Sequence, residues 1–285
     1  MDTVRIAAPI SGDKLYQQRA RAALPVLVRQ AEAGTPIFYS ALAQELGMPN
    51  PRNLNYVLGS IGTTLEHLSK KWKKTIPPIQ CLVVNKQTNL PGEGIWGFLA
   101  KGKDFAALSR RQQRDIVKAK LHDIYVYRHW RDVLKEFSLA PVKANFRAEI
   151  MRAATERQGG GESEEHLRLK EYVARHPFAV GLADNTPRGD VEYDLPSGDT
   201  IDVLFKDKAD WVAVEVKSRV SSDTDVLRGL FQCVKYRAVV EAVQVASELP
   251  QNARALLALE GELPGGLVSL RNLLGIEVVE KVCGD

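Results

Sequence analysis

Two short apolar runs with charged residues inside them most constrain how this chain can fold. The first spans residues 200–205 (TIDVLF) and contains Asp202, and the second spans residues 211–218 (WVAVEVKS) and contains Glu215 and Lys217. Both runs are rich in β-branched and aromatic residues and bounded by turn residues, which predicts two strands. The short connection KDKAD suits a hairpin. Because side chains alternate along a strand, Glu215 and Lys217 share one face, and Asp202 can lie near Glu215 across an antiparallel ladder.

The clustered charges predict a bound cation. Two carboxylates held together in an apolar sheet repel each other unless a cation joins them. Mg²⁺ prefers oxygen ligands and keeps several waters for a substrate, and Mn²⁺ can substitute for it. We expect Asp202, Glu215 and the main-chain carbonyl of Val216 to be the ligands. Lys217 would orient or deprotonate a metal-activated water and steady the charge on a phosphate, which suits phosphodiester hydrolysis.

A helical segment follows the second run and carries the sequence QCVKY at 232–236. Asp202, followed after a hairpin by Glu-Val-Lys at 215–217, resembles the PD-(D/E)xK nuclease superfamily. The residues QCVKY resemble the Gln-x-x-x-Tyr element of one branch of it. The resemblance covers roughly residues 160–245, and Ile201 stands where the family often has a proline before the aspartate.

The resemblance implies an α/β fold, a restriction-endonuclease-like sandwich with a mixed central sheet flanked by helices. The implied catalytic residues are Asp202, Glu215, Lys217, Gln232 and Tyr236. The family often adds an acidic residue from the helix before the sheet, which we place at residues 161–177. The available residues there are Glu162, Glu164, Glu165 and Glu171. We prefer Glu165 because it lies in the first turn; alternatively, these glutamates are solvated and favour the positive end of the helix dipole.

Charge is distributed unevenly along the chain. Residues 1–157 contain 25 Lys and Arg against 13 Asp and Glu, whereas residues 158–285 contain 14 against 22. A basic front half joined to an acidic half with a cation site indicates a polyanion-binding part attached to a cation-binding part. A solvated basic surface is the alternative.

The front half also has the periodicity of a helical DNA-binding domain. Residues 12–34, 38–48 and 52–70 form three helical patterns, and residues 80–99 look like a β-hairpin. This order resembles a winged-helix domain, with the hairpin as its wing. The residues expected to contact nucleic-acid phosphates are Lys70, Lys71, Lys73, Lys74, Arg110, Arg111 and Arg114. The last three belong to a basic helical region at 105–138, which either lies along nucleic acid or braces the two domains.

The cysteines and the apolar segments of the sequence indicate the cellular compartment. The three cysteines are widely spaced and form no CxxC pair, which indicates neither a disulfide framework nor a zinc site. No apolar run approaches the roughly 18 residues of a membrane span. The first residues lack the apolar segment of a signal peptide. We therefore expect a reducing, cytoplasmic setting.

Together these observations predict three parts: a winged-helix-like DNA-binding domain (1–104), a helical connector (105–157) and a PD-(D/E)xK nuclease domain (158–285) that begins at a Gly-rich linker. The predicted activity is a Mg²⁺-dependent deoxyribonuclease, with endonuclease action preferred, in restriction-like defence or DNA repair. Double-stranded DNA is the expected partner, a homodimer stays open, and no membrane association is expected. The alternatives are a non-catalytic DNA-binding regulator and an RNA nuclease.

Overall fold

A computed structural model describes residues 7–99, 105–142, 146–155, 163–208 and 210–283. The chain divides into two compact units, residues 1–143 and 144–285. The predicted connector is therefore not a separate part.

Most of the predicted connector belongs to the first unit. The side chains of Phe105, Val117, Ile124 and Trp130 are buried in the core of that unit, so the basic helical region is anchored by its apolar face. The Gly-rich linker predicted at 158–161 lies outside the described residues.

The first unit is mainly helical. Its helices are α1 (Leu15–Ala33), α2 (Tyr39–Glu45), α3 (Leu54–Trp72), α4 (Trp96–Leu99), α5 (Arg110–Val126) and α6 (Trp130–Glu136). Strands β1 (Ile37–Phe38) and β2 (Val83–Val84) pair in parallel. The three helical patterns expected from the sequence correspond to α1, α2 and α3.

The hairpin predicted for residues 80–99 is wrong. Residues 79–82 form a 3₁₀ turn, β2 pairs with β1, and the expected return strand is a 3₁₀ turn followed by α4. Over this stretch, an isolated antiparallel bridge links Val84 to Pro91. The apolar residues near 95–99 pack instead as a helical turn, and the Trp96 ring lies 5.4 Å from the Phe105 ring. The feature that suggested a wing is thus replaced by local helix.

The second unit is built on a five-stranded mixed sheet. Its strands, in spatial order, are β3 (Asp190–Asp194), β4 (Thr200–Asp207), β5 (Asp210–Lys217), β6 (Ala253–Leu259) and β7 (Glu277–Val279). Strands β3, β4 and β5 are antiparallel neighbours, whereas β5, β6 and β7 run parallel. The helices of this unit are α7 (Arg147–Thr155), α8 (Glu164–Arg175), α9 (Asp223–Ala246) and α10 (Val268–Leu274).

Helices cover both faces of this sheet. Val173 of α8 packs with Val212 and Val214 of β5, whereas Leu230 of α9 packs with Ala213. Alternate residues of one strand therefore face different helices, as the period of two requires. The prediction of a mixed α/β unit with helices on both sides of a mixed sheet is confirmed. No helix in the described part of the chain is both long and apolar enough to cross a lipid bilayer.

Candidate functional site in the second unit

Asp202 lies where the hairpin of β4 and β5 stops pairing. The paired residues nearest to it are Val203 and Val214, and the next residues along the two strands are Asp202 and Glu215. Beyond the last pair, the Asp202 side chain replaces a main-chain acceptor: Val216 N donates to its Oδ2 at 2.8 Å. The hairpin therefore brings the two carboxylates to the same point of the sheet.

Two side chains of α8, an imidazole and an ammonium, approach the other oxygen of Asp202. His166 Nε2 lies 3.7 Å from Oδ1, and Lys170 Nζ lies 3.8 Å from it. Burial alone would raise the pKa of Asp202, but His166 and the amide of Val216 outweigh it, so the pKa lies below its ordinary value. Asp202 is consequently ionised at neutral pH.

Glu215 differs from Asp202 in being almost completely buried. Its side chain is 2% exposed, and its Oε1 accepts a hydrogen bond from Lys217 Nζ at 2.7 Å. Its Oε2 is buried and has no hydrogen-bond partner among the described residues. Burial, and then the charge of Asp202, raise the pKa of Glu215 to about 7. Burial would lower the pKa of Lys217, but Glu215 outweighs it, so the pKa of the ammonium is raised.

Helix α9 covers this pair of carboxylates with the two residues of the Gln-x-x-x-Tyr element. The Tyr236 hydroxyl donates to the main-chain carbonyl of Thr200 at 2.9 Å, and Gln232 Nε2 donates to that hydroxyl at 3.4 Å. Gln232 Oε1 is buried without a hydrogen-bond partner in the described part of the chain. Burial, and then the charge of Glu215, raise the pKa of Tyr236. The structure thus brings Gln232 and Tyr236 to the predicted carboxylates.

Gly229 was not identified from the sequence, although it controls how closely α9 approaches the site. A Cβ at this position would lie 2.9 Å from Leu257 Cδ1, 3.2 Å from Lys217 Cε and 3.5 Å from Glu215 Cγ. A side chain at position 229 would therefore push α9 away from β5. The available signal was a glycine inside a helical pattern, which costs about 1 kcal/mol relative to alanine and so indicates a packing or functional reason.

The helix residue beside Asp202 is His166 rather than the predicted Glu165. Glu165 is exposed, and the hydrogen bonds of the first turn of α8, with Ser163 among the partners, and the nearby Arg168 lower its pKa. One residue along a helix rotates the side chain by about 100°, so adjacent positions face different surroundings. Glu164 is also exposed.

The other two glutamates considered for this role are not beside Asp202 either, as far as the structure describes them. Glu171 forms salt bridges with Arg175 and Arg188. Glu162 lies outside the described residues.

Lys170 is a second residue that the sequence reading missed. It is 3% exposed and forms a 2.9 Å salt bridge with Glu192 of β3. The sequence did contain a signal for Lys170, namely its spacing. His166 and Lys170 are four residues apart, so they lie on the same side of α8 as the buried Leu169 and Val173. A lysine on the apolar face of a helix needs an anionic partner, and the sheet provides two, Glu192 and Asp202.

The donors at this point suit a hard cation only in part. Two carboxylates, one with an orphaned buried oxygen, are what Mg²⁺ takes when waters and substrate phosphates complete its shell. Across the described ranges, however, no group of three or more His, Cys, Asp or Glu side chains is arranged as a metal cluster. A cation here would thus depend on Asp202, Glu215 and main-chain or water oxygens. The main-chain carbonyl of Val216 is the predicted source of such an oxygen.

A charged groove in the second unit is lined mainly by α8 and by residues that follow β5 and β6. It has a volume of about 760 Å³, and the arginines that line it are Arg168, Arg175 and Arg219. Arg219 follows Lys217 by two residues and is paired with Glu260, which also lines the groove. The groove is therefore a mixed surface with cationic groups close in sequence to the catalytic candidates.

The predicted phosphate-binding residues of the first unit lie in two places. Lys70, Lys73 and Lys74 line a cavity at the end of α3, whereas Lys71 forms a 2.5 Å salt bridge with Glu136. The other three, Arg110, Arg111 and Arg114, are exposed on the first turns of α5.

Comparisons of this chain with protein-family models, with curated proteins and with solved structures find no match.

Proposed function

We propose that this protein is a metal-dependent nuclease that hydrolyses phosphodiester bonds in DNA, with its active site in a restriction-endonuclease-like second unit. The observation that carries the proposal is the pair Asp202 and Glu215. One carboxylate is ionised, the other is buried with an orphaned oxygen, and a lysine contacts it at 2.7 Å. A chain that needed these groups only for stability would do better with apolar residues, because burying charge is costly.

Asp202, Glu215 and the carbonyl of Val216 would hold a Mg²⁺ or Mn²⁺ ion, and His166 offers a further donor on the side of Asp202. When bound, such an ion polarises a phosphoryl oxygen and acidifies a water. Glu215 must be ionised to take part, so binding of the ion displaces its proton. Lys170 contacts Glu192 and lies close to Asp202, which restricts the Asp202 carboxylate to one orientation.

Lys217 would orient the attacking water and stabilise the negative charge that develops on the phosphate. Its ammonium group is held beside the carboxylates, where it can donate to a phosphate oxygen and orient the attacking water. Tyr236 has a positioning role, because its hydroxyl donates a hydrogen bond to the carbonyl of Thr200 in β4, two residues before Asp202. Gln232 supports that hydroxyl, and its buried Oε1 is available for a substrate group.

The DNA substrate is supported by charge. The exposed arginines of α5 and the lysines near the end of α3 give the first unit a basic surface. The groove of the second unit contains three arginines, but three glutamates also line it, so its charges are balanced. Lys and Arg side chains that neutralise phosphates supply affinity without sequence preference and make it fall with salt.

Cleavage of supercoiled plasmid and of linear DNA in Mg²⁺ or Mn²⁺ tests the proposal. Asp202→Ala and Lys217→Ala should each abolish cleavage. DNA binding by the Asp202→Ala protein, measured by gel shift, should stay within about twofold because every lysine and arginine is kept, whereas Lys217→Ala removes one of many possible phosphate contacts and should weaken binding only slightly. Glu164→Ala is the matched control, because this exposed carboxylate of α8 lies outside the lining of the groove. Full cutting by the Asp202→Ala protein would refute the assignment.

The same experiment separates the alternatives. Strong DNA binding by the wild-type protein with no cleavage in either metal would favour a DNA-binding regulator, which the basic first unit would also suit. Preferential cleavage of RNA in a competition between matched RNA and DNA strands would favour an RNA nuclease.

A further inference from the structure

A cavity in the first unit has the features of a second, separate binding site. It has a volume of about 710 Å³ and lies between the end of α3, the segment that follows it and α5. The lysines that line it are Lys70, Lys73, Lys74 and Lys120, against one glutamate, Glu66. Its volume is within the range of small-molecule sites, and its charge favours an anion.

A buried amide without hydrogen-bond partners lines the same cavity. The Gln80 side chain is 1% exposed, and neither its Nε2 nor its Oε1 has a partner among the described residues. Buried polar groups in folded proteins are almost always paired, because an unpaired one loses its hydration without compensation. Gln80 therefore points to a ligand that offers a donor and an acceptor side by side.

The remaining lining suits a flat, partly apolar group. Leu65, Ile76 and Leu99 line the cavity together with Pro78. A nucleobase has apolar faces and a polar edge, and the glutamine amide pairs in a bidentate manner with the N6 and N7 atoms of adenine. Lysines bind the phosphate of a nucleotide, and a carboxylate such as Glu66 can accept a hydrogen bond from a ribose hydroxyl.

We propose that this cavity binds an adenine nucleotide, with the base edge on Gln80 and the phosphate on Lys70, Lys73, Lys74 and Lys120. The nucleotide is either free or an unstacked residue of a nucleic-acid strand, since the recognising chemistry is the same. The site is distinct from the carboxylates of the second unit, and binding here requires neither metal nor cleavage.

Isothermal titration of the full-length protein in EDTA tests this site without the nuclease reaction. The probes are AMP, CMP, adenosine, inorganic phosphate and a short oligo(dA). AMP should bind at least about tenfold more tightly than CMP, adenosine or phosphate, because only AMP satisfies both the amide and the lysines. Tighter binding of oligo(dA) than of AMP that is lost in the Gln80→Met variant identifies a strand as the source, whereas tighter binding of AMP identifies the free nucleotide.

Variants separate the two halves of the site. Gln80→Met should weaken AMP about tenfold and leave phosphate binding unchanged, whereas Lys73→Ala with Lys74→Ala should weaken both. Lys118→Ala, on α5 beside Lys120 but outside the lining, is the control and should change neither.

Gln80→Met should also raise the melting temperature of the free protein, which shows that the variant folds. Equal affinity for AMP and CMP, AMP binding unchanged by Gln80→Met, or no binding of any probe at millimolar concentration would each overturn the proposal. The outcome is independent of cleavage, because a protein without nuclease activity could still pass this test.

Discussion

Raising the pH in the absence of divalent cations should destabilise the second unit, because Glu215 must then lose its proton inside the protein. Its pKa rises from 4.5 to about 7, first through burial and then through Asp202. Between these values the folded state binds more protons than the unfolded state, so the free energy of unfolding falls as the pH rises and becomes level above about 7. At about 1.4 kcal/mol for each pH unit, the loss is about 3 kcal/mol.

Asp202 and Lys217 do not obscure this window. The pKa of Asp202 is lowered, so its contribution to stability is lost only as the pH falls below its ordinary range. The pKa of Lys217 is raised, so its contribution persists until the pH passes well above the window. Asp202 and Lys217 keep their charge between pH 5 and pH 8, so Glu215 is the one of these three groups that titrates within the window.

The assay compares wild-type protein with Glu215→Gln in EDTA at four pH values from 5 to 8. Hydrogen exchange of peptides from β5, measured by mass spectrometry in increasing denaturant, reports unfolding of the second unit separately from the first. The free energy of unfolding of the variant minus that of the wild type should increase by about 3 kcal/mol across the range. Loss of the carboxylate beside Lys217 adds an offset that is the same at each pH.

The exposed Glu164 provides the control, because Glu164→Gln removes a glutamate from α8 without touching the buried cluster. Its difference from the wild type should stay constant with pH. A difference for Glu215→Gln that is equally flat would refute the reasoning, since it would mean that Glu215 does not carry a proton across this range.

Three further outcomes are expected. Mg²⁺ should raise the melting temperature of the second unit more at pH 8 than at pH 6, because the ion and the proton compete for Glu215; equal shifts in a thermal scan would argue against carboxylate coordination. Gly229→Ala should reduce cleavage about tenfold by displacing the Lys217 side chain, whose Cε would lie 3.2 Å from the new Cβ. Its stability should change by less than about 1 kcal/mol because alanine favours the helix, and kinetics combined with denaturation would show this. Arg29→Leu should destabilise the first unit by about 3 kcal/mol, since it removes the buried guanidinium that pairs with the partly buried Glu45 at 2.5 Å; an unchanged denaturation midpoint would contradict this.

Local signals in the sequence were enough for the elements that carry the site. The apolar runs at 200–205 and 211–218 correspond to β4 and β5, and the helix expected to reach about residue 243 is α9, which ends at Ala246. Strand composition, a short turn and helical periodicity depend on neighbouring residues, so they can be read without the fold. The register of the hairpin then brings Asp202 next to Glu215.

Two incorrect predictions show what local sequence signals do not determine. The segment at 95–99 is apolar enough for a strand, and β2 was its expected partner. However, β2 pairs instead with β1, which lies some 46 residues earlier in the chain (Ile37 pairs with Val83). Glu165 has the residue type that the family resemblance requires, but its neighbour His166 faces Asp202. Strand partners and the rotation of a helix are decided by packing over long sequence separations.

The sequence by itself determined the candidate residues of this site: two acids, an amine and the pair Gln232 and Tyr236, placed on adjacent strands and the following helix. The tertiary structure decided their chemical states. Packing of α9 through Gly229 buries Glu215 and raises its pKa, while His166 of α8 and the main-chain amide of Val216 lower the pKa of Asp202. The physical reason is that a pKa depends on desolvation and on charges a few ångströms away, and both are properties of the folded surroundings rather than of residue type.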